Sequence, residues 1–195
     1  MKTEFQKCLD GERFVGNDPE IVAMTLKTKH LLAKLRSTPY EDNEAKQTIY
    51  REMFGSIGQH VYIDLDFRCE YGKNIFLGNF VIINMNCTFL DNNKITIGNN
   101  VLIAPDVKIY TATHPTFPQE RIHNHPKPGE QYFEMTAHPV TIEDNVWICG
   151  GSIIVPGVTI GKNSVIGAGS VVTKAIPTNC LAAGNPCTLI RYFDR

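Results

Sequence analysis

Four of the chain's six histidines, His114, His123, His125 and His138, fall in one polar stretch, residues 110–139, that also carries five prolines. Imidazole titrates near neutral pH. A histidine held in place can therefore take a proton from a hydroxyl, and three together can hold zinc. The six cysteines, at 8, 69, 87, 149, 180 and 187, form no Cys-x-x-Cys pair and read as small buried hydrophobes rather than as disulfides or metal ligands. With 19 Lys and Arg against 20 Asp and Glu, the net charge is −1, so no basic excess marks a surface for nucleic acid or anionic membrane. No apolar run reaches the ~18 residues of a membrane span. Met1-Lys2-Thr3-Glu4-Phe5 lacks the apolar stretch of a signal peptide. A soluble cytoplasmic protein is expected. Its 195 residues, 43% apolar, suffice for one domain that buries roughly 70% of its unfolded surface.

The elements that must position these side chains change near residue 55. Residues 1–54 read as a small helical cap. Asn17-Asp18-Pro19-Glu20 is a helix start, with apolar residues following at Ile21, Met24, Leu31, Leu32 and Leu35 and basic residues toward the far end. Thr38-Pro39 breaks it, and a second helix is expected over Asp42 to Met53. Two short helices are unstable alone and should dock on the rest.

Residues 55–195 have a period of six. Ile142, Ile148, Ile154, Ile160, Ile166 and Val172 stand six apart, and Ser152, Ser164 and Ser170 precede three of them by two. An interval of six leaves successive helical residues 120° out of phase, whereas three short strands per 18-residue coil account for it: a hexapeptide parallel β-helix, an all-β solenoid. Upstream, Ile57-Gly58, Leu77-Gly78 and Ile97-Gly98 recur at 20, as coils with a two-residue insertion. Cys69 and Cys87, 18 apart, are expected to stack as interior packing. The count breaks between Ile109 and Val140, so residues 110–139 are read as a long loop projecting from the prism. His114 stands where the solenoid ends and this loop begins.

Several segments resemble the maltose and galactoside O-acetyltransferases: Arg68-Cys69-Glu70-Tyr71-Gly72-Lys73-Asn74-Ile75-Phe76-Leu77-Gly78-Asn79, Tyr110-Thr111-Ala112-Thr113-His114-Pro115, Asn145-Val146-Trp147-Ile148, Pro156-Gly157-Val158-Thr159-Ile160-Gly161, and Ala182-Ala183-Gly184-Asn185-Pro186-Cys187. They keep one order over nearly the whole chain, and Gly11-Glu12-Arg13-Phe14 before the helices is similar to that family's cap. The resemblance implies a left-handed β-helix, a homotrimer with active sites between subunits, and acetyl transfer from acetyl-CoA to a sugar hydroxyl with no metal required.

An alcohol is a poor nucleophile at neutral pH, so such a transfer needs a base at the hydroxyl and donors for the developing oxyanion. The resemblance implies His114 as the base and Asn84 beside it. The next acceptor-site candidates are Asp18, Glu70 and Asp91, with Asn92 competing with Asp91 for one aligned position. Each carboxylate would equally serve as a helix cap or a solvated corner. Trp147 is implied near the acyl donor and substrate. For acetyl-CoA the implied contacts are Gly150, Ala168, Thr173, Lys174 and Arg191. Thr188 departs from the pattern, since many members carry a basic residue there. Cys149 stands where glycine is usual and reads as a tolerated small residue, not a nucleophile.

Two other readings compete. A β-helical zinc carbonic anhydrase would need a His-x4-His spacing, but position 119 is Gln and no other pair fits. A non-enzymatic solenoid, such as a scaffold or an ice-binding protein, has no need of a histidine-bearing loop. An ice binder would need a flat row of threonines, which Thr96, Thr141 and Thr159 are not expected to make.

Overall fold

The computed structural model describes residues 1–194. Its body is a triangular solenoid of three parallel sheets. The first face carries Ser56–Ile57, Ile75–Leu77, Ile95–Ile97, Val140–Ile142 and Thr159–Ile160. The second carries Tyr62–Ile63, Ile82–Ile83, Leu102–Ile103, Trp147–Ile148, Val165–Ile166 and Cys180–Gly184, closed by the antiparallel strand Cys187–Tyr192. The third carries Arg68–Cys69, Thr88–Leu90, Lys108–Tyr110, Ile153–Ile154 and Val171–Val172.

The six-residue count is the core. Ile142, Ile148, Ile154, Ile160, Ile166 and Val172 are all fully buried, each contributing about 1.5–3 kcal/mol relative to exposure. Ser152, Ser164 and Ser170 also point inward, and their hydroxyls donate to the main-chain oxygens of Cys149, Pro177 and Gly167. A buried hydroxyl costs little once so paired.

Two of the three corners are built on left-handed residues. Between the first and second faces, His60, Phe80, Asn100, Asn145, Asn163 and Asn179 have φ of 55–61°. The last four pass side-chain amide hydrogen bonds from coil to coil. Asparagine tolerates this conformation better than most residues. Gly78 precedes such a corner because a Cβ there would sit 2.6 Å from the main-chain oxygen of Gly98. Between the second and third faces, Asp66, Asn86, Asp106, Gly151 and Gly169 play the same part. The third–first corner has no such column, and there the chain departs from the prism.

The cap has three helices rather than two. α1 (Glu4–Leu9) precedes α2 (Pro19–Ser37) and α3 (Asn43–Met53). α2 starts at Asp18, whose carboxylate accepts from the backbone N–H of Glu20 at 2.9 Å, and stops before Pro39, which disfavours helical geometry at Thr38. Leu31, Leu32, Ile49, Tyr50, Met53 and Phe54 close one end of the solenoid core.

Three expectations need correction. Residues 110–139 do not project as a structureless loop. Ala112–Thr113 pairs antiparallel with Thr136–Ala137, and α4 (Pro118–Arg121) leads into a strap in which Ile122 faces Phe133. This strap folds back on the cap, and Cys8, Phe14, Ile21, Tyr71 and Ala137 form a second core between them. Cys69 and Cys87 are both interior but do not stack, because the coils there advance by 20 and the register partner of Cys69 is Phe89. Thr96, Thr141 and Thr159 do line up on the first face. The 45-residue interval between the first two hides one coil plus the inserted loop. The row is a single file, following Phe76 and Ser56.

Candidate active site

The third–first corner collects the acceptor-side candidates. Glu70, Asn92 and His114 follow successive strands of the third face and line one cleft of about 470 Å³. The opposite wall comes from the cap, through Gly16, Asn17, Ile21, Val22 and Thr25, and the strap supplies Gln131, Tyr132, Phe133 and Met135.

His114 is exposed but its ring is held. Nδ1 lies 2.7 Å from the main-chain oxygen of Glu134, and the ring stands edge-on to Phe133 with centroids 5.7 Å apart. A carbonyl oxygen only accepts, so Nδ1 carries the hydrogen and Nε2 keeps its lone pair. That is the tautomer a general base requires. Three residues before it, Thr111 is fully buried. Its hydroxyl donates to the Leu90 oxygen at 2.6 Å and accepts from the Asn93 N–H at 2.9 Å. The backbone entering the base is thus fixed at a rigid corner.

Two predicted ligands carry structural hydrogen bonds. Asp91 is fully buried. Its carboxylate accepts from the N–H groups of Glu70, Tyr71 and Asn74 at 2.9, 2.9 and 3.3 Å. Burial pushes its carboxyl up to about 6 against the pull of those amides. It shapes the corner from below rather than facing an acceptor, and Asn92 holds the position on the cleft. Asp18 is likewise absent from the cleft lining. Its oxygen caps α2, and its neighbour Asn17 faces the cleft instead.

Sequence reasoning missed the cap–strap contacts that close the cleft. The N–H of Gly16 donates to Gln131 Oε1 at 2.6 Å, the Asn17 amide donates to the Gly129 oxygen at 2.9 Å, and Arg13 pairs with Glu120 at 2.8 Å. Beneath them, Asn93 Nδ2 reaches the main-chain oxygens of Cys8, Leu9 and Ala137 at 2.9–3.1 Å, tying α1 to the strap's return strand. The only sequence signal was the unusual run Asp91-Asn92-Asn93 after a strand.

The remaining candidates stand on other parts of the prism. Asn84 sits at the second–third corner, its amide donating to the Ile103 oxygen at 2.9 Å, so it is not beside His114 within one protomer. Gly150 and Ala168 occupy matching steps of that corner in consecutive coils, where Gly151 N–H donates to the Pro105 oxygen and Gly169 N–H to the Gly150 oxygen. Trp147 lies outward on the second face, in register with Leu102 and Val165. Thr173 and Lys174 are exposed after the last strand of the third face. Arg191 lies on the closing strand with its guanidinium over the Phe193 ring. Burial raises the Cys149 thiol above its ordinary value, which opposes thiolate formation.

Among the described residues no three His, Cys, Asp or Glu side chains are grouped so as to hold a metal ion, and no helix is long and apolar enough to cross a membrane.

Two family descriptions match the chain: the bacterial transferase hexapeptide (six repeats) over residues 139–174, and the maltose acetyltransferase hexapeptide capping motif over residues 7–58. A galactoside O-acetyltransferase of Escherichia coli K12 is 42% identical over 169 residues, spanning 87% of this chain and 79% of that protein. The crystal structure of a maltose O-acetyltransferase from Clostridium difficile 630 superposes with a TM-score of 0.91 at 43% identity, covering 100% of this chain and 99% of its own. A hexapeptide-repeat acetyltransferase from Vibrio cholerae O1 biovar eltor, solved with acetyl coenzyme A, superposes with a TM-score of 0.87 at 36% identity, covering 100% of both chains.

Proposed function

Because the chain belongs to the galactoside and maltose O-acetyltransferase family of hexapeptide-repeat proteins, and is an acetyl-CoA-dependent O-acetyltransferase, we propose that His114 is its general base and a sugar hydroxyl its acceptor. The observation that carries this reading is the Nδ1 contact of His114 with the Glu134 oxygen, which leaves Nε2 free to accept a proton inside a cleft lined by Glu70 and Asn92.

The reaction is direct transfer within a ternary complex. His114 Nε2 takes the hydroxyl proton as the acceptor oxygen attacks the thioester carbonyl. The tetrahedral centre collapses with cleavage of the carbon–sulfur bond, and the imidazolium returns its proton to the departing CoA thiolate. Backbone amides near Gly150 stabilise the oxyanion. Ala168 lines the pantetheine path, and Thr173, Lys174 and Arg191 hold the phosphate end of CoA.

The functional unit is a homotrimer. His114 and Asn84 belong to different corners of one prism, so a site containing both draws them from two copies. An outward row of Tyr62, Ile82, Leu102 and Trp147, each more than a third exposed, supplies an apolar face for that contact. Asn84 and Trp147 of one copy then complete the cleft that Glu70, Asn92 and His114 of its neighbour open.

The test is an acceptor screen with acetyl-CoA, following free thiol release from glucose, maltose and methyl galactosides. His114→Ala is expected to cut turnover by at least about a hundredfold while CoA binding is retained. Wild-type turnover in that variant would remove the base from His114, and no thiol release with any hydroxyl compound would remove the sugar acceptor.

A further inference from the structure

Glu134 touches two histidines with different parts of itself. Its main-chain oxygen holds Nδ1 of His114, and its carboxylate Oε1 lies 2.7 Å from Nε2 of His123. We infer that His123 is a positioning residue for the transfer, acting through Glu134 on the tautomer and orientation of His114. This rests on the reading of His114 as the base.

The geometry around Glu134 makes the link specific. The strap is a short antiparallel ladder in which the His123 N–H donates to the Tyr132 oxygen at 2.7 Å and the Glu134 N–H to the Arg121 oxygen at 2.9 Å. Its far end is tied to the cap at Gly129 and Gln131. Glu134 lies beyond those ties, and its carboxylate contact with His123 closes the ladder next to the catalytic ring. The same segment carries Phe133, against which His114 stands edge-on. Removing the His123 donor frees the Glu134 side chain. The main-chain oxygen that fixes His114 Nδ1 and the ring that flanks it then lose a support together. The contact requires hydrogen on His123 Nε2. Around it, Glu4, Lys7, Arg13, Glu130 and Glu134 line the same cavity of about 400 Å³. None of these groups other than Glu134 lies within ion-pair distance of the His123 ring among the described residues.

The experiment is a double-substitution cycle in the full-length protein, with acetyl-CoA and glucose, maltose or a methyl galactoside. His123→Ala is expected to lower kcat about tenfold, with the KM for acetyl-CoA within about twofold. His123→Gln, whose amide reaches the same carboxylate, restores most of it. Glu134→Ala alone matches His123→Ala, and the double variant is no worse than either, because the two act as one unit. Nitrogen-15 NMR of the histidine rings needs no acceptor. His114 should hold hydrogen on Nδ1 in the wild type and become a mixture of tautomers in His123→Ala. Where the alanine variant does not fold, His123→Met keeps the bulk without the donor and is read the same way. Wild-type kcat, losses that multiply, a glutamine variant as poor as alanine, or an unmoved His114 ring would each overturn the proposal. If His114 is not the base, the ring signal moves while kcat does not, which separates the two readings.

Discussion

Asp91 lies directly beneath Glu70, its Oδ1 accepting the Glu70 N–H at 2.9 Å, so a buried carboxylate fixes the backbone of a half-buried one. Two effects oppose each other there. Burial raises the Asp91 carboxyl to about 6, and three backbone amides pull it down. A carboxyl raised above its unfolded value near 3.8 binds its proton more tightly in the folded state. Its contribution is full below about pH 4 and is lost as pH rises through 6. The stability advantage of wild type over Asp91→Asn is expected to shrink by about 2.4 kcal/mol between pH 4 and pH 7.5. Urea unfolding of both proteins at the two pH values measures this. An advantage that grows with pH would mean that the amides outweigh burial.

Glu70 lines the cleft proposed for the acceptor and is paired loosely with Lys29 at 3.7 Å. A charge-assisted hydrogen bond exceeds a neutral one by about 1 kcal/mol. Glu70→Gln should therefore raise the acceptor KM roughly fivefold to tenfold, with the acetyl-CoA KM unchanged. Initial-rate kinetics with each substrate varied in turn would decide it, and an equal change in both constants would place Glu70 outside the acceptor subsite.

Leu102 stands between Ile82 and Trp147 in the outward row of the second face and is 44% exposed. A charge there stays partly solvated in the single protomer but would be desolvated in the proposed contact between copies. Leu102→Asp is expected to turn a trimer into monomers by sedimentation, with unchanged circular dichroism and turnover reduced at least about a hundredfold. A trimer that persists with full activity would move the contact to another face.

Asn163 has φ of 61° and carries the amide ladder between Asn145 and Asn179. Alanine loses both hydrogen bonds and keeps the unfavourable backbone, so Asn163→Ala should cost about 2 kcal/mol, and Asn163→Gly about half that. Thermal unfolding of the two variants tests the order. A glycine variant less stable than alanine would show that backbone conformation is not the limiting factor.

The solenoid was legible because a period is arithmetic: Ile142 to Val172 can be counted without knowing any contact. The same arithmetic failed where the count changed. Cys69 and Cys87 were paired at 18 in coils that advance by 20, and the 45 residues between Thr96 and Thr141 concealed their alignment. His114 was legible from its motif and its place at the end of a coil. Asp91 and Asn92 are not separable in the sequence, since both are buried polar residues and only the fold decides which borders the cleft. Asp18 reads from the sequence as a helix cap, and its Oδ1 takes that role at the start of α2. The contacts of Arg13, Gly16 and Asn17 with the strap join residues more than a hundred positions apart and follow no period, so nothing in the sequence announces them.

The column of left-handed residues missing from the third–first corner has an evolutionary consequence. At the other two corners each coil must match its neighbours, so a change of length in one disturbs the whole stack. At this corner the chain leaves after Tyr110 and resumes at Val140 in perfect step with Ile95. Within that stretch, residues 124–128 at the tip of the strap can change without disturbing the coils, while His114, Glu134 and the buried Thr111 and Ala137 stay fixed. New acceptor preferences can be tried there by insertion, deletion or replacement, while the edge assigned to the acyl donor stays under unbroken structural constraint.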